Sequence, residues 1–417
     1  MKIIHKIIIA VVLAVIVIAG SLYYYFSSLP TAAPKKAPIK IAAVFSLTGA
    51  NARHGTSTCD GVRYYVEKIN FEGGIRGHLI DLVVYDDKSD PSVGASMVEK
   101  AISVDNVVAV IGGYGTAIAV PEAEVAERLK CPYFAAGSID IKLFQRGYKW
   151  IFRAIPDSYG YAKPMFEFLQ RLQKEDPGLK KMWITATTTS SAALEQEKFI
   201  INALNATFQI MVENFPTGTA DVRPMVIKMR EFNPDVVVFI QYYTETVLLL
   251  KSMMELGVRP KLVLGSWGMG EAELIKELGG KAEYLFGGAG WTPTAAYPGT
   301  QEFFEDFKRK FGYAPDYHQL YGGASLLAVK AAIENLIDAG KELTRENLRD
   351  ALEKIDIWTP LGRVKFSLKP EEHPLGEVHQ NIYAEYIIFQ VLNGTQVAVW
   401  PPEAAAVKYV YPPPLRW

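Results

Sequence analysis

Apolar and polar positions along residues 39–91 follow the order strand, helix, strand. Residues 39–45 form an apolar run of strand length, which suits a parallel strand covered on both faces. Between residues 56 and 70, apolar side chains recur every three or four positions and therefore share one face of a helix. Residues 79–85 read as a second strand. This pattern predicts a βαβ unit whose first loop, residues 46–55, lies where open α/β sheets bind ligands.

The same alternation continues through most of the chain. It predicts further helices over 91–104, 116–130, 159–173, 192–205, 221–232 and 244–256, and strands over 107–111, 132–135, 181–186, 208–214, 235–240 and 261–265. After residue 287 the pattern predicts three helices, over 299–311, 317–339 and 344–355, and then β-rich segments near 362–366 and 382–391. Strands and helices that alternate over short connections indicate βαβ units, so we expect an α/β fold with parallel sheets.

Length and charge narrow the interpretation further. A chain of 417 residues exceeds a typical single core, which favours two domains. The formal net charge is -1, and no basic stripe is interleaved with aromatic residues. Nucleic acid therefore has no electrostatic reason to bind, and we exclude it as a partner.

The amino terminus has the composition of a membrane segment. Basic residues precede an apolar run, and residues 7–26, which end in a tyrosine-rich cluster, reach the length of about 20 residues that a span requires. We assign residues 1–28 as a membrane anchor or a cleaved signal, and residues 29–38, rich in proline, alanine and lysine, as a linker. Positive charge before the apolar run places the folded part outside the cytoplasm.

Two cysteines, Cys59 and Cys131, are present, so the fold does not depend on a disulfide framework. A single bridge and two small buried side chains are both compatible with their positions. The densest carboxylate group is Asp86, Asp87 and Asp90. Cation binding is one interpretation, but a turn followed by a helix cap fits better, because Asp90 precedes a proline that suits the first position of a helix.

Common catalytic signatures are missing from the sequence. It contains no G-x-S-x-G, H-E-x-x-H, zinc-spaced cysteine pairs or G-x-x-x-x-G-K-[ST]. We therefore expect a protein that is not an enzyme and needs no cofactor.

Several strand ends carry groups that suit a small ligand. The glycine-rich turn 112–116 places free backbone N–H groups at a helix start, where Thr116 adds a hydroxyl. Ser138 follows the next strand. Tyr242 and Trp267 follow two later strands and offer apolar area with a polar group. Strand alternation directs Tyr243 away from the same site.

Three segments carry a resemblance to a known family: IKIAAVFSLTG at 39–49, EKINFEGGIRGHLIDLVVYDDKSDP at 67–91 and VVAVIGGYGT at 107–116. They resemble the solute-binding proteins of branched-chain amino acid transporters, which have the type I periplasmic binding protein fold. The resemblance extends from residue 39 to about residue 394. It implies two Rossmann-like lobes with parallel sheets, joined by three crossovers, that bind a ligand between them.

The resemblance also implies boundaries and site residues. Lobe 1 would comprise residues 39–154 plus 290–357, and lobe 2 residues 155–289 plus 358–417. The ligand-contacting positions of the family correspond here to a small set of residues: His54, Thr116, Ala136, Ser138 and Tyr242.

Two departures from the family pattern bear on the ligand. Residues 187–191, TTTSS, replace a turn that carries an aromatic residue in many members, and Trp267 occupies the position of the acid that pairs with an amino acid's ammonium group. A buried ammonium without a carboxylate leaves a costly unpaired charge. The sequence therefore argues against a plain α-amino acid, unless Asp140 or Glu245 supplies the charge.

The resulting prediction is an extracytoplasmic receptor, anchored or secreted, for a small carboxylate-bearing ligand: a branched-chain amino acid-like compound, an amide, or an aromatic or organic acid. It would close on the ligand by a hinge at crossovers near Ile155, Ala289 and Trp358, and deliver it to the membrane permease of an ABC transporter. A ligand-sensing receptor or amide sensor of the same fold is the alternative. We rank it lower because no cytoplasmic domain precedes the membrane segment to receive a signal.

Overall fold

The structure, a computed structural model, describes residues 18–21 and 36–415. Residues 18–21 are helical and belong, with 36–38, to a different unit from residues 39–415. The predicted membrane segment and linker lie outside the described residues, apart from 18–21 and 36–38. The elements below belong to the second unit.

Strands and helices alternate as the sequence pattern predicts. The helices are α1 (Ala52–Phe71), α2 (Pro91–Ser103), α3 (Thr116–Arg128), α4 (Ile141–Phe144), α5 (Ser158–Glu175), α6 (Ser191–Leu204), α7 (Arg223–Phe232), α8 (Tyr243–Glu255), α9 (Ala272–Leu278), α10 (Thr300–Phe311), α11 (Tyr317–Asp338) and α12 (Arg345–Leu352). The strands are β1 (Ile39–Phe45), β2 (Ile80–Asp86), β3 (Ala109–Tyr114), β4 (Tyr133–Gly137), β5 (Ile151–Phe152), β6 (Lys181–Ala186), β7 (Gln209–Val212), β8 (Val236–Ile240), β9 (Leu262–Gly265), β10 (Phe286–Ala289), β11 (Ile357–Thr359), β12 (Gly362–Val364), β13 (Ile387–Leu392) and β14 (Thr395–Trp400).

The first lobe is built on a five-stranded sheet in the order β2-β1-β3-β4-β5, with every neighbouring pair parallel. Strand β1 lies between β2 and β3. Its register is fixed by the pairing of Ile39 with Ile80 and of Ile41 with Ala109. From Ile41 to Phe45 the strand is wholly buried, because helices cover both faces. The sheet order places the ends of β1, β3 and β4 side by side.

The second lobe is built on a seven-stranded sheet in the order β14-β13-β10-β9-β8-β6-β7. The pairs from β7 to β10 are parallel, whereas β10 with β13 and β13 with β14 are antiparallel. The expectation of parallel sheets therefore holds for most of this sheet but not for its carboxyl-terminal edge. There β13 and β14 are joined through Asn393 and Gly394, and so short a connection permits only antiparallel pairing.

Close backbone contact joins α1 to the long helix α11. A Cβ added to Gly61 would lie 1.7 Å from the carbonyl oxygen of Gln319, and one added to Gly322 would lie 2.2 Å from that of Thr58. Helix α11 has the length and composition of a membrane span, yet 67% of its most apolar window is buried inside the protein, as in a core helix. Through this contact, α11 brings the residues of its first turn beside the start of α1.

Two sequence predictions about side chains are settled by the fold. Both Cys59 and Cys131 are free and buried, so they act as small core residues. Asp90 caps α2 by accepting from the N–H groups of Ser92 and Val93. Asp86 accepts from the backbone of Leu47 and Thr48, so this acidic group serves as a turn and a cap.

Candidate functional site

A cavity of about 540 Å³ lies at the carboxyl ends of strands from both sheets. Its size falls in the range of small-molecule sites, and aromatic side chains dominate its walls. The lining residues are Ala50, Asn51, His54, Tyr114, Gly115, Thr116, Gly137, Ile139, Tyr161, Ser190, Ala192, Thr217, Tyr242, Tyr243, Trp267, Gly268, Glu271, Tyr317, His318, Tyr321 and Tyr386.

His54 lies in the first turn of α1, not in a loop before it, because the helix begins at Ala52. The close approach of this turn to β1 requires Gly55, whose Cβ would lie 2.3 Å from the carbonyl oxygen of Ser46. The His54 ring stacks on that of His318 with a centroid separation of 4.5 Å. Its Nε2 atom is buried and has no hydrogen-bond partner.

Behind His54, a chain of polar groups fixes the first-lobe wall. The His318 ring lies 3.1 Å from the Tyr114 hydroxyl through Nε2 and 2.9 Å from Asp316 Oδ1 through Nδ1. Burial opposes ionisation of Asp316, but the adjacent His318 lowers the pKa of this carboxyl below its ordinary value. His318 is held from both sides, so it supports the wall on which His54 rests.

The glycine-rich turn ends at Gly115, whose φ of +85° suits glycine, and α3 begins at Thr116. The Thr116 hydroxyl lies 3.3 Å from that of Ser138. Thr116 lines the cavity, whereas Ser138 is buried beside it and Ala136 is buried within β4. The strand end reaches the cavity through Gly137 and Ile139 instead.

The second-lobe wall carries Tyr242, Tyr243 and Trp267. Their positions follow from the ends of β8 and β9, and the rings of Tyr242 and Trp267 are 5.3 Å apart. The strand pattern predicts that the Tyr243 side chain is directed away from the site. Tyr243 nevertheless lines the cavity, because β8 ends at Ile240 and strand alternation no longer applies three residues later. The indole Nε1 of Trp267 is buried without a hydrogen-bond partner.

Glu271 is the one carboxylate among the described lining residues, and the sequence interpretation missed it. One of its oxygens lies 2.9 Å from Arg53 Nη2, and the other lies 3.6 Å from His54 Nε2. The 3₁₀ helix Trp267–Gly270 turns the chain so that Glu271 lines the same wall of the cavity as Trp267. The available signal was a carboxylate one helical turn after a strand-end aromatic residue.

The two acids named as alternatives in the sequence are occupied elsewhere. Asp140 caps α4 by accepting from the N–H of Leu143. Glu245 accepts from the N–H of Gly218, and neither acid lines the cavity. The cavity nevertheless contains a carboxylate, that of Glu271, so the absence of an acid at position 267 does not exclude an amino acid ligand.

Four further tyrosines complete the cavity: Tyr161, Tyr317, Tyr321 and Tyr386. The hydroxyls of Tyr161 and Tyr321 are 2.7 Å apart, which joins α5 to α11. Burial raises the pKa of Tyr161 to about 12 and that of Tyr321 well above its ordinary value. These hydroxyls therefore stay neutral at physiological pH and can both donate and accept hydrogen bonds.

Segment 187–191, where the sequence departs from the family resemblance, contributes the hydroxyl of Ser190 to the cavity. Ser190 caps α6 and lines the cavity together with Thr217. Thr217 also contacts the hydroxyl of Thr187 at 3.0 Å. This part of the wall therefore carries small, polar side chains.

Comparisons with known proteins agree with this architecture. The sequence matches the family described as periplasmic binding protein over residues 38–392. A relative, the Leu/Ile/Val-binding protein homolog 7 of Brucella abortus (strain 2308), is 27% identical over 392 residues, which cover 91% of this chain and 95% of that protein.

Two solved structures share the fold. The branched-chain amino acid transporter substrate binding protein of Streptococcus pneumoniae, in complex with isoleucine, aligns with a TM-score of 0.70 and 20% identity over 87% of this chain and 98% of that one. The solute binding protein of an ABC transporter from Rhodopseudomonas palustris BisB5, in complex with 3,4-dihydroxy benzoic acid, aligns with a TM-score of 0.71 and 18% identity over 86% and 95%.

Proposed function

Because this chain belongs to the periplasmic binding protein family, we propose that it captures a small carboxylate-bearing ligand between its two lobes and delivers it to the permease of an ABC transporter. The family consists of binding proteins that act outside the cytoplasm. The observation that carries the proposal is a cavity of about 540 Å³ whose walls contain two buried polar atoms without a hydrogen-bond partner, His54 Nε2 and Trp267 Nε1. Buried polar groups need partners, and a bound ligand supplies them.

The carboxylate of the ligand is proposed to bind at the start of α3. There Thr116 offers its hydroxyl and lies at the positive end of a 13-residue helix that opens onto the cavity. Neutral tyrosine hydroxyls add further donors. Ala136 and Ser138 would support this subsite from behind, through the contact between Ser138 and Thr116.

The remainder of the ligand is proposed to lie against Tyr242 and Trp267, beside Glu271. Aromatic walls suit an aliphatic or aromatic body equally, and Glu271 accommodates an ammonium group if the ligand carries one. Relatives of the same fold were solved with isoleucine and with 3,4-dihydroxy benzoic acid. Both compounds combine a carboxylate with a body that fits such a cavity.

Lobe closure accompanies binding in this proposal. The lobes are 39–154 with 290–357 and 155–289 with 358–417, and the hinge lies near Ile155, Ala289 and Trp358. We further propose that residues 7–26 attach the protein to the outer face of the membrane or direct its secretion. Cell fractionation with an antibody distinguishes an anchored protein from a secreted one.

The ligand proposal is tested by calorimetry on the folded domain with paired compounds: leucine against leucinamide, and 3,4-dihydroxybenzoate against its amide. We expect the carboxylate member of at least one pair to bind with micromolar affinity, about -8 kcal/mol, and its amide to bind at least tenfold more weakly. Small-angle scattering should show compaction with the same compound. Equal affinity for acid and amide, or binding without compaction, would refute the proposal.

A further inference from the structure

A second group of ionisable side chains lies away from the cavity, where the chain passes between the lobes. Arg153 follows β5 and Asp157 caps α5, while His373 and Glu377 belong to the segment that leads to β13. The side chains of Arg153 and Glu377 are 0% exposed and that of Asp157 is 1% exposed. We call Asp157, His373 and Glu377 the junction cluster.

The donor atoms of the junction cluster converge on one point. One atom from each of its three residues lies within 4.8 Å of the others. His373 Nε2 is 3.5 Å from Asp157 Oδ2, and His373 Nδ1 is 3.4 Å from Glu377 Oε2. Asp157 Oδ2 and Glu377 Oε2 are both buried and have no hydrogen-bond partner. Two buried carboxylate oxygens without hydrogen-bond partners, directed with a histidine at one point, form a place where a cation would be stabilised.

The remaining atoms of the same residues are fixed by neighbours. Glu377 Oε1 accepts from Arg153 Nη2 at 2.6 Å, and Asp157 Oδ1 accepts from the N–H of Gly160 at 2.6 Å. A metal ion at His373 Nε2 requires the tautomer with its proton on Nδ1, which lies 3.4 Å from Glu377 Oε2 and can donate to it. Outer contacts of this kind orient metal ligands before the metal arrives.

Charge favours a cation at the same point. Two carboxylates face one arginine, so the buried group lacks one positive charge. A divalent cation between the two carboxylates would supply that charge.

The donor set selects the class of metal. One imidazole nitrogen and two carboxylate oxygens suit zinc and similar divalent transition metals, whereas calcium prefers oxygen ligands alone. Arg153 limits the affinity by its charge, but its guanidinium is directed at Glu377 Oε1, at the carbonyl of Asp140 and at Gln380. We propose that the junction cluster binds one divalent transition-metal ion and thereby ties together two segments that cross between the lobes.

The test uses the protein prepared without a histidine tag, treated with EDTA, desalted and titrated with ZnCl₂. Bound zinc is measured by calorimetry and by metal analysis after a second desalting. We expect one equivalent of zinc per chain and a higher melting temperature. The main variant is Glu377→Gln, because the amide oxygen still accepts from Arg153 and the amide N–H can donate toward Asp157, so this variant should fold.

The matched control is Glu371→Gln, which removes an exposed carboxylate from the same segment. We expect Glu371→Gln to bind zinc like the wild type and Glu377→Gln to bind it at least 100-fold more weakly. His373→Gln provides a second variant if Glu377→Gln melts below the working temperature. Zinc binding that is absent from the wild type, or that persists undiminished in the cluster variants, would overturn the proposal.

Discussion

Two arginine–glutamate pairs connect distant parts of this chain, and they differ mainly in their access to water. In the cleft, Arg53 Nη2 lies 2.9 Å from Glu271, and the arginine side chain is 53% exposed. At the junction, Arg153 Nη2 lies 2.6 Å from Glu377, and both side chains are 0% exposed. Water reaches the arginine of the first pair but neither partner of the second.

The difference assigns the two pairs to different roles. An exposed ion pair contributes about 0–1 kcal/mol, so the cleft pair can form and break at little cost during the lobe closure that we propose. A buried pair is costly to leave half complete, at about 3–5 kcal/mol for the loss of one partner. The cleft pair is therefore suited to a moving interface, and the junction pair to the part that stays assembled.

Removing Arg153 should produce the largest effect. In Arg153→Met, two buried carboxylates lose their cation, and we expect the free energy of unfolding to fall by about 3–5 kcal/mol. Urea denaturation of the EDTA-treated protein measures this loss. Arg128→Met is the control, because Arg128 pairs with Glu99 at 3.2 Å on the surface and should cost under about 1 kcal/mol. Equal losses in the two variants would remove the distinction between the pairs.

The next largest effect is expected in the cleft, at Trp267. Trp267→Ala removes an aromatic wall and the unpartnered indole Nε1, so ligand affinity should fall by about 2–4 kcal/mol, or roughly 30- to 1,000-fold. Calorimetry with the best carboxylate ligand measures it. Phe71→Ala is the matched control, because Phe71 is 93% exposed and lies outside the cavity. An affinity that Trp267→Ala leaves within twofold of the wild type would exclude this ring from the binding site.

The fold was largely predictable because its signals are local. Continuous apolar runs such as residues 41–45 and helical spacing such as that of α1 identify elements without any knowledge of their partners. The antiparallel edge was harder to predict. Strand β14 is only partly buried, and its pairing is decided by the turn at Asn393 and Gly394.

Residues that line the cavity were predictable where they follow a strand end or match the pattern of the family. His54, Thr116, Tyr242 and Trp267 line the cavity and were named from strand ends or from family resemblance. Glu271 and His318 reach it through a 3₁₀ turn and through the packing of α11 on α1. Tertiary contacts of that kind leave no periodic pattern in the sequence, so the only signal for the carboxylate in the wall was its spacing of one helical turn from Trp267.

A smaller effect should distinguish ligands by charge at Glu271. Glu271→Gln removes the carboxylate but keeps a hydrogen-bonding group, so a ligand with an ammonium group should lose about 1.5–3 kcal/mol of binding free energy. A carboxylate ligand without an ammonium group should bind equally well or better. Calorimetry with leucine and with 3,4-dihydroxybenzoate compares the two classes, with Glu273→Gln, an exposed neighbour, as the control. A similar loss for both ligands would mean that Glu271 supports the wall and does not recognise charge.

The smallest effect is expected from Arg53, and it tests the cleft side of the comparison most directly. Arg53 Nη2 contacts both Glu271 and Glu273, so Arg53→Ala removes charge pairing across the mouth of the cavity. Because the arginine is half exposed, we expect a change of under about 1 kcal/mol in ligand affinity at low salt, and a difference from the wild type that vanishes near 1 M salt, where screening extends to about 3 Å. Arg171→Ala, which removes an exposed pair away from the cleft, should show no effect on affinity at either salt concentration. If Arg53→Ala instead weakened binding by more than tenfold at both salt concentrations, Arg53 would contact the ligand, and the two pairs would differ in function as well as in exposure.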